Sequence, residues 1–223
     1  MFSACFQKEL RLLHRSWRTI GTVLIFALLL AVTASVTLRV PGLSTLTQRS
    51  IFCGAYLLIF LFSGTIFLSA SWDQERRERA FLGSVLAGGD AWPPLAAKVI
   101  VQTGVLFFVG LFAGFSLSLL FPFPITRNLP TLVALLGIAA LGYVALGSVL
   151  SALSSAARDR DIVFPILFFP LLLPFIWALG TLGVAALDGA RLNVADPHFV
   201  FVVAFDVISI ALASIVFPYV IEE

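Results

Sequence analysis

Charged residues divide this chain into stretches that are too long and too apolar for anything but a membrane. Twenty uncharged residues lie between Arg18 and Arg39, and 23 between Arg49 and Asp73. Lys98 to Arg127 encloses 28, Arg127 to Arg158 encloses 30, and Asp161 to Asp188 encloses 26. From Pro197 to Ile221 the only formal charge is Asp206. A helix needs roughly 20 apolar residues to cross the hydrocarbon core. Lipid offers the backbone no hydrogen-bond partners, so a helix, which satisfies its own, is the sensible form. The pattern predicts an all-α, polytopic membrane protein with six transmembrane helices.

Composition agrees. Of the 223 residues, 60% are apolar and 12% charged, and the mean hydropathy is +1.06. A soluble domain carries nearer a quarter charged residues. The 22 phenylalanines suit a lipid-facing surface. A net charge of +2 gives no argument for nucleic acid. The two cysteines, Cys5 and Cys53, form no C-x-x-C or C-x-x-C-H pattern, so thiol redox chemistry and covalent haem attachment have no signature. The apolar stretch Ile20 to Leu38 and the cationic segment before it are both long for a signal peptide, so this is read as a retained first span.

Lys and Arg set the orientation. With a cytoplasmic N-terminus, the inner segments hold Lys8, Arg11, Arg15, Arg18, Arg76, Arg77, Arg79, Lys98, Arg158 and Arg160. The outer loops hold Arg39, Arg49, Arg127 and Arg191. Ten against four places both termini in the cytoplasm, and Cys5 and Cys53 on opposite sides. The domain plan is then an elbow helix over 1–18 and a six-helix transmembrane domain over 19–223, with a cytoplasmic coupling loop at 73–98.

The elbow follows from periodicity. At about 100° per residue, Lys8, Arg11, Arg15 and Arg18 share an arc of about 80°. Phe2, Phe6, Leu10, Leu13 and Trp17 share the opposite side. This predicts an amphipathic helix on the cytoplasmic face, basic side toward anionic headgroups. In the loop between spans two and three, Asp73, Glu75, Arg76, Arg77, Glu78 and Arg79 precede Phe81, Leu82, Val85 and Leu86, an apolar stripe at helical spacing. Gly88, Gly89 and Asp90 end it, and Trp92, Pro93 and Pro94 read as a surface turn. A solvated charge run would account for the charges but not for the stripe, so the segment reads as a docking element. The run Arg158-Asp159-Arg160-Asp161 reads as a polar boundary.

Other features lie in the spans. Pro165, Pro170 and Pro174 fall in the fifth, where each removes a backbone donor and tends to kink the helix. Gly110 and Gly114 form a GxxxG pair in the third, read as packing inside one subunit. Asp206 is the one ionisable residue deep in a span, about 14 Å from Pro197. Such a residue is either functional or a hydrogen-bonded packing group. Asp196 and Pro197 suit the cap and first turn of the sixth helix. His198 is then interfacial rather than a haem or metal ligand, and His14 sits at headgroup level. The outer segment 181–193 is compatible with a stretch that dips into the membrane as well as with a simple loop. There is no G-x-x-x-x-G-K-[ST], no H-E-x-x-H and no G-x-S-x-G, so no enzyme reading has residues to rest on.

A basic elbow, six spans, both ends inside and a docking loop after span two resemble the membrane subunit of an ABC-2-type transporter. More specifically, the chain resembles the haem exporter B subunit of cytochrome c maturation. The resemblance runs over nearly the whole chain. It rests on FQKELRLLHR from Phe6 to Arg15, on the stretch Asp73 to Lys98 with its closing Ala-Ala-Lys, and most specifically on PILFFPLLLPF from Pro165 to Phe175. Where that family reads closer to Leu-Glu-x-Leu and a proline-containing turn, this chain has Arg79-Ala80-Phe81-Leu82 and Gly88-Gly89-Asp90.

The resemblance implies a homodimeric permease bound to two copies of a cytoplasmic ATPase, alongside other cytochrome c maturation membrane subunits of the bacterial inner membrane. ATP would sit on the partner, haem would be a possible substrate, and this chain would bind no cofactor. The tryptophan-rich signature of haem-handling partners is absent, so haem ligation would belong to another subunit. The implied ATPase contact is Asp73, Glu75, Arg76, Arg77, Glu78, Arg79, Phe81 and Leu82. Two other readings use the same features. One is a non-transporting scaffold of the haem-handling complex, which would need no alternating states. The other is an ion-coupled secondary transporter built on Asp206. A permease of another ABC-2 exporter would also fit.

Overall fold

Each uncharged stretch becomes one long helix. The computed structural model describes residues 2–37, 44–78, 92–120, 128–153 and 160–221. In chain order these form α1 (Phe2–Arg15), α2 (Trp17–Thr37), α3 (Thr45–Glu78), α4 (Trp92–Leu120), α5 (Leu129–Leu153), α6 (Arg160–Leu187) and α7 (Pro197–Ile221). Six of them, α2 to α7, are long and apolar enough to span a bilayer. The protein is an all-α, multi-pass membrane protein. An even number of spans returns the chain to its starting side, so α1 and the end of α7 lie at the same end of the bundle.

The central helix is α5, which packs on α3, α4, α6 and α7. Two-thirds of its span (67%) is buried, against 22% for α2 and for α7. Its core position follows from composition: α5 carries no charged residue, and its buried face alternates small and large side chains such as Ala140, Tyr143, Val144 and Leu150. The Tyr143 hydroxyl donates to the Leu61 carbonyl at 2.6 Å and lies 2.7 Å from Thr65 Oγ1, both on α3. The Phe168 ring meets Tyr143 edge-on at 4.9 Å. At the periphery α2 buries a narrow stripe of Val23, Ala27, Ala31 and Ser35. Small residues there let the backbone approach α3 and α4 closely.

Gly110 and Gly114 of α4 face Tyr56 of α3, whose hydroxyl donates to the Gly110 carbonyl at 3.3 Å. The GxxxG pair is thus occupied within the chain. Both cysteines are free and buried.

The helix ends on the side of the bundle away from α1 are capped locally. The Ser44 hydroxyl accepts from the Thr47 N–H at 3.3 Å, an N-cap for α3. Helix α6 stops at Gly189, whose φ of 94° suits glycine. There the N–H of Ala190 reaches the Ala185 carbonyl and that of Gly189 the Ala186 carbonyl, each at 3.0 Å. So 181–187 is the last part of α6, and a short turn follows. Arg49 pairs with Asp188, and the Asn128 side-chain amide donates to the Ala190 carbonyl, which ties this turn to the starts of α3 and α5. Asp196 caps α7 as expected, accepting from the His198 N–H at 2.8 Å.

Candidate functional site

The helix α3 does not end with its span. The uncharged stretch ends at Trp72, before Asp73, and the helix continues to Glu78. At 1.5 Å per residue, 34 residues reach about 50 Å, well beyond a roughly 30 Å hydrocarbon core. The backbone of Asp73, Glu75, Arg76, Arg77 and Glu78 is therefore part of a rod that also threads the bundle. Their side chains lie outside the described residues, as do Arg79, Phe81 and Leu82 and the run 154–159.

The far end of the predicted loop is helical too. Pro93 and Pro94 do not make a surface turn; they occupy the first turn of α4. Proline is favoured there, because the first N–H groups of a helix have no intrahelical acceptor. The loop read as 73–98 is thus helical at both ends. Lys98, read as a cytoplasmic loop charge, lies inside α4 with 2% of its surface exposed. Its ammonium sits over the Trp72 ring, 4.3 Å from the centroid. Burial against an aromatic face and polar neighbours removes the need for that charge to mark a helix end.

The elbow completes the site. Helix α1 packs on α4 through neither the basic nor the apolar face. Leu10 and Trp17 are exposed (44% and 68%), while Cys5 and Glu9 are buried. At about 100° per residue, Cys5, Glu9, Leu12 and Ser16 share a third arc between the basic and apolar ones. An interfacial helix in a folded protein has three neighbours (water, lipid and protein), and a two-face pattern does not separate them. Glu9, Leu13, Ser16, Ser71, Lys98 and Gln102 line one cavity of about 30 Å³ at this junction, the space of about one or two waters. Glu9 also pairs with Lys8 at 3.5 Å, and the Gln102 amide donates to Ser71 Oγ at 2.8 Å.

Glu9 and Lys98 are the residues that the sequence pattern did not single out as a site. A Glu amid basic residues, and a Lys six positions into an apolar run, were the available signals. Together these contacts clasp the two ends of the charged segment and seat the elbow beside them.

The remaining candidates are elsewhere. Pro165, Pro170 and Pro174 lie inside α6, which stays helical through all three. Each proline leaves the carbonyl four residues earlier without its ladder donor. Asp206 is buried against Gly142 of α5, about two turns along α7 from Ala213, which packs with Trp72. His198 sits in the first turn of α7, 3.2 Å from Asp196 and edge-on to Trp177 at 5.2 Å. Among the described residues no three His, Cys, Asp or Glu side chains come together. Comparison with protein-family models, curated proteins and solved structures finds no match for this chain.

Proposed function

We propose that this chain is the permease subunit of an ABC-2-type transporter, coupled to a separate cytoplasmic ATPase, and that it acts in cytochrome c maturation in the bacterial inner membrane. In this reading two copies of the chain pair with two copies of the ATPase and with other maturation subunits. ATP hydrolysis then drives export of haem, or release of a haem-loaded chaperone, on the far side.

The observation that carries the coupling part is the unbroken α3, which joins the segment from Asp73 to Glu78 directly to the second span. A partner that pulls on a charged helix end moves the whole rod. The clasp at Trp72 and Lys98 and the docked elbow pass that motion to α4 and α1. A free loop would absorb it. The haem-related part rests on the resemblance of Pro165 to Phe175 and of the two basic segments.

The test is the double charge reversal Arg76→Glu and Arg77→Glu. The expected result is normal membrane insertion, loss of the co-purifying ATPase and loss of c-type cytochrome. Normal cytochrome assembly in the double variant, at wild-type protein level, overturns the coupling assignment. A co-purified ATPase without maturation subunits keeps the transporter and removes haem. No ATPase from an intact preparation leaves the scaffold or the ion-coupled secondary transporter.

A further inference from the structure

Asp206 sits where an ionised carboxylate has nothing to hold it. It lies about 14 Å along α7 from Pro197, near the middle of the span, and only 5% of its surface is exposed. Its side chain points at Gly142 of α5. A Cβ at that position would collide with Asp206 Oδ1 and come within 2.9 Å of the Phe175 ring. Phe175 of α6 and Phe205 of α7 stack at 4.4 Å and form an apolar wall beside it. Oδ1 is buried and has no hydrogen-bond partner among the described residues.

Among the described residues the neighbouring elements supply no counter-charge. Helix α5 has one ionisable side chain, Tyr143, and its hydroxyl is turned to Leu61 and Thr65 of α3. The described side chains of α6, from Phe164 to Leu187, include no charged residue. On α4 the cation is Lys98, seated over Trp72. On α7 itself His198 lies about two turns away in the first turn, against Asp196 and Trp177. Burying an unpaired carboxylate costs several kcal/mol even after relaxation, whereas protonation removes the charge.

We propose that Asp206 is an intramembrane proton-binding site whose neutral acid seals α7 against α5 at Gly142, and whose ionisation opens that interface. The ligand is a proton. On release the acid O–H breaks, an entering water takes the proton and leaves as hydronium, and the carboxylate that remains is solvated by further water that holds the interface open. The interface between α5 and α7 is the most extensive in the bundle, so its opening changes the packing of the central helix. This inference stands apart from the ATPase assignment.

The experiment uses the full chain in lipid nanodiscs and reads protonation by infrared difference spectroscopy. The expected result is a protonated-acid carbonyl band near neutral pH, absent from Asp206→Asn and replaced by a carboxylate band on alkalinisation. Opening is read on Ser209→Cys, one turn on and buried, by its labelling rate with a water-soluble maleimide located by mass spectrometry. Because the thiolate is the reacting form, the rate rises with pH in both backgrounds; with Asp206 present it is expected to rise about a further tenfold per pH unit until Asp206 is fully ionised, as the ionised fraction does, and to lose this further rise when Asp206→Asn is added. If Asp206→Asn fails to insert, the wild-type chain carrying carbon-13 aspartate gives the protonation readout unaided. An ionised Asp206 at neutral pH, or a labelling rate with the same pH profile in both backgrounds, overturns the proposal.

Discussion

The Lys98 ammonium lies 4.3 Å from the centre of the Trp72 ring, joining the last residue of the second span to the first turns of the third. A buried cation over an indole contributes about 0.5–2 kcal/mol. Lys98→Met keeps the stem and removes the charge, and Trp72→Leu removes the ring. In a double-mutant cycle read by thermal unfolding in detergent, the two losses should fall short of additivity by that amount. Lys98→Arg should be milder, since guanidinium also stacks on indole. Strict additivity would show that the clasp contributes nothing.

A side chain at Gly64 would collide with a ring that is itself fixed. A Cβ there would lie 2.7 Å from Tyr143 Cε1. Hydrogen bonds to Leu61 and contact with Thr65 hold that tyrosine in place. Gly64→Ala should therefore cost about 1–3 kcal/mol, the usual penalty of overpacking. Gly114→Ala meets Tyr56 at 3.4 Å, an ordinary contact, and should be neutral or slightly stabilising. Thermal melts of the two variants check the contrast. Adding Tyr143→Leu to Gly64→Ala should recover part of the loss.

The turn after α6 depends on one backbone conformation. Gly189 holds φ at 94°, which a residue with a Cβ adopts at a cost of about 1–2 kcal/mol. Gly189→Ala should lower the melting temperature, and Gly189→Asn should lower it less, because asparagine tolerates that region better. Equal effects of the two substitutions would argue against the left-handed cap.

The spans were legible because lipid imposes a length, and charges seldom interrupt that length without reason. Asp196 was legible as a cap because Asp-Pro before an apolar run has a local cause. Lys98 was misread for the converse reason. Its burial depends on Trp72, which lies in another span, and a single-sequence pattern does not carry that contact. Glu9 was missed because periodicity sorted α1 into basic and apolar faces and left no place for the arc that packs on α4. The end of α6 was readable in principle: Asp188-Gly189 is a helix stop, but the small residues before it look like a loop until the Gly189 cap is seen. Asp206 was conspicuous as a charge, while its fit against Gly142 is visible only once α5 and α7 are side by side.

The cap of α7 should make the N-terminal end of that helix acid-sensitive. The His198 backbone N–H donates to the Asp196 carboxylate, and this hydrogen bond, ahead of the His198 ring and the Phe199 N–H, holds the Asp196 pKa below the usual value. A carboxyl group with a depressed folded-state pKa adds stability that is fully present above its unfolded value of about 3.9. That stability is lost as pH falls through the lower, folded value. Hydrogen exchange of the amides of His198, Phe199 and Val200 should therefore stay slow at neutral pH and accelerate under strong acid, after correction for intrinsic rates. Asp196→Asn retains a capping oxygen without the titratable charge, so its corrected exchange should no longer respond to acid in this window. An unchanged acid response in Asp196→Asn would place the sensitivity in another group.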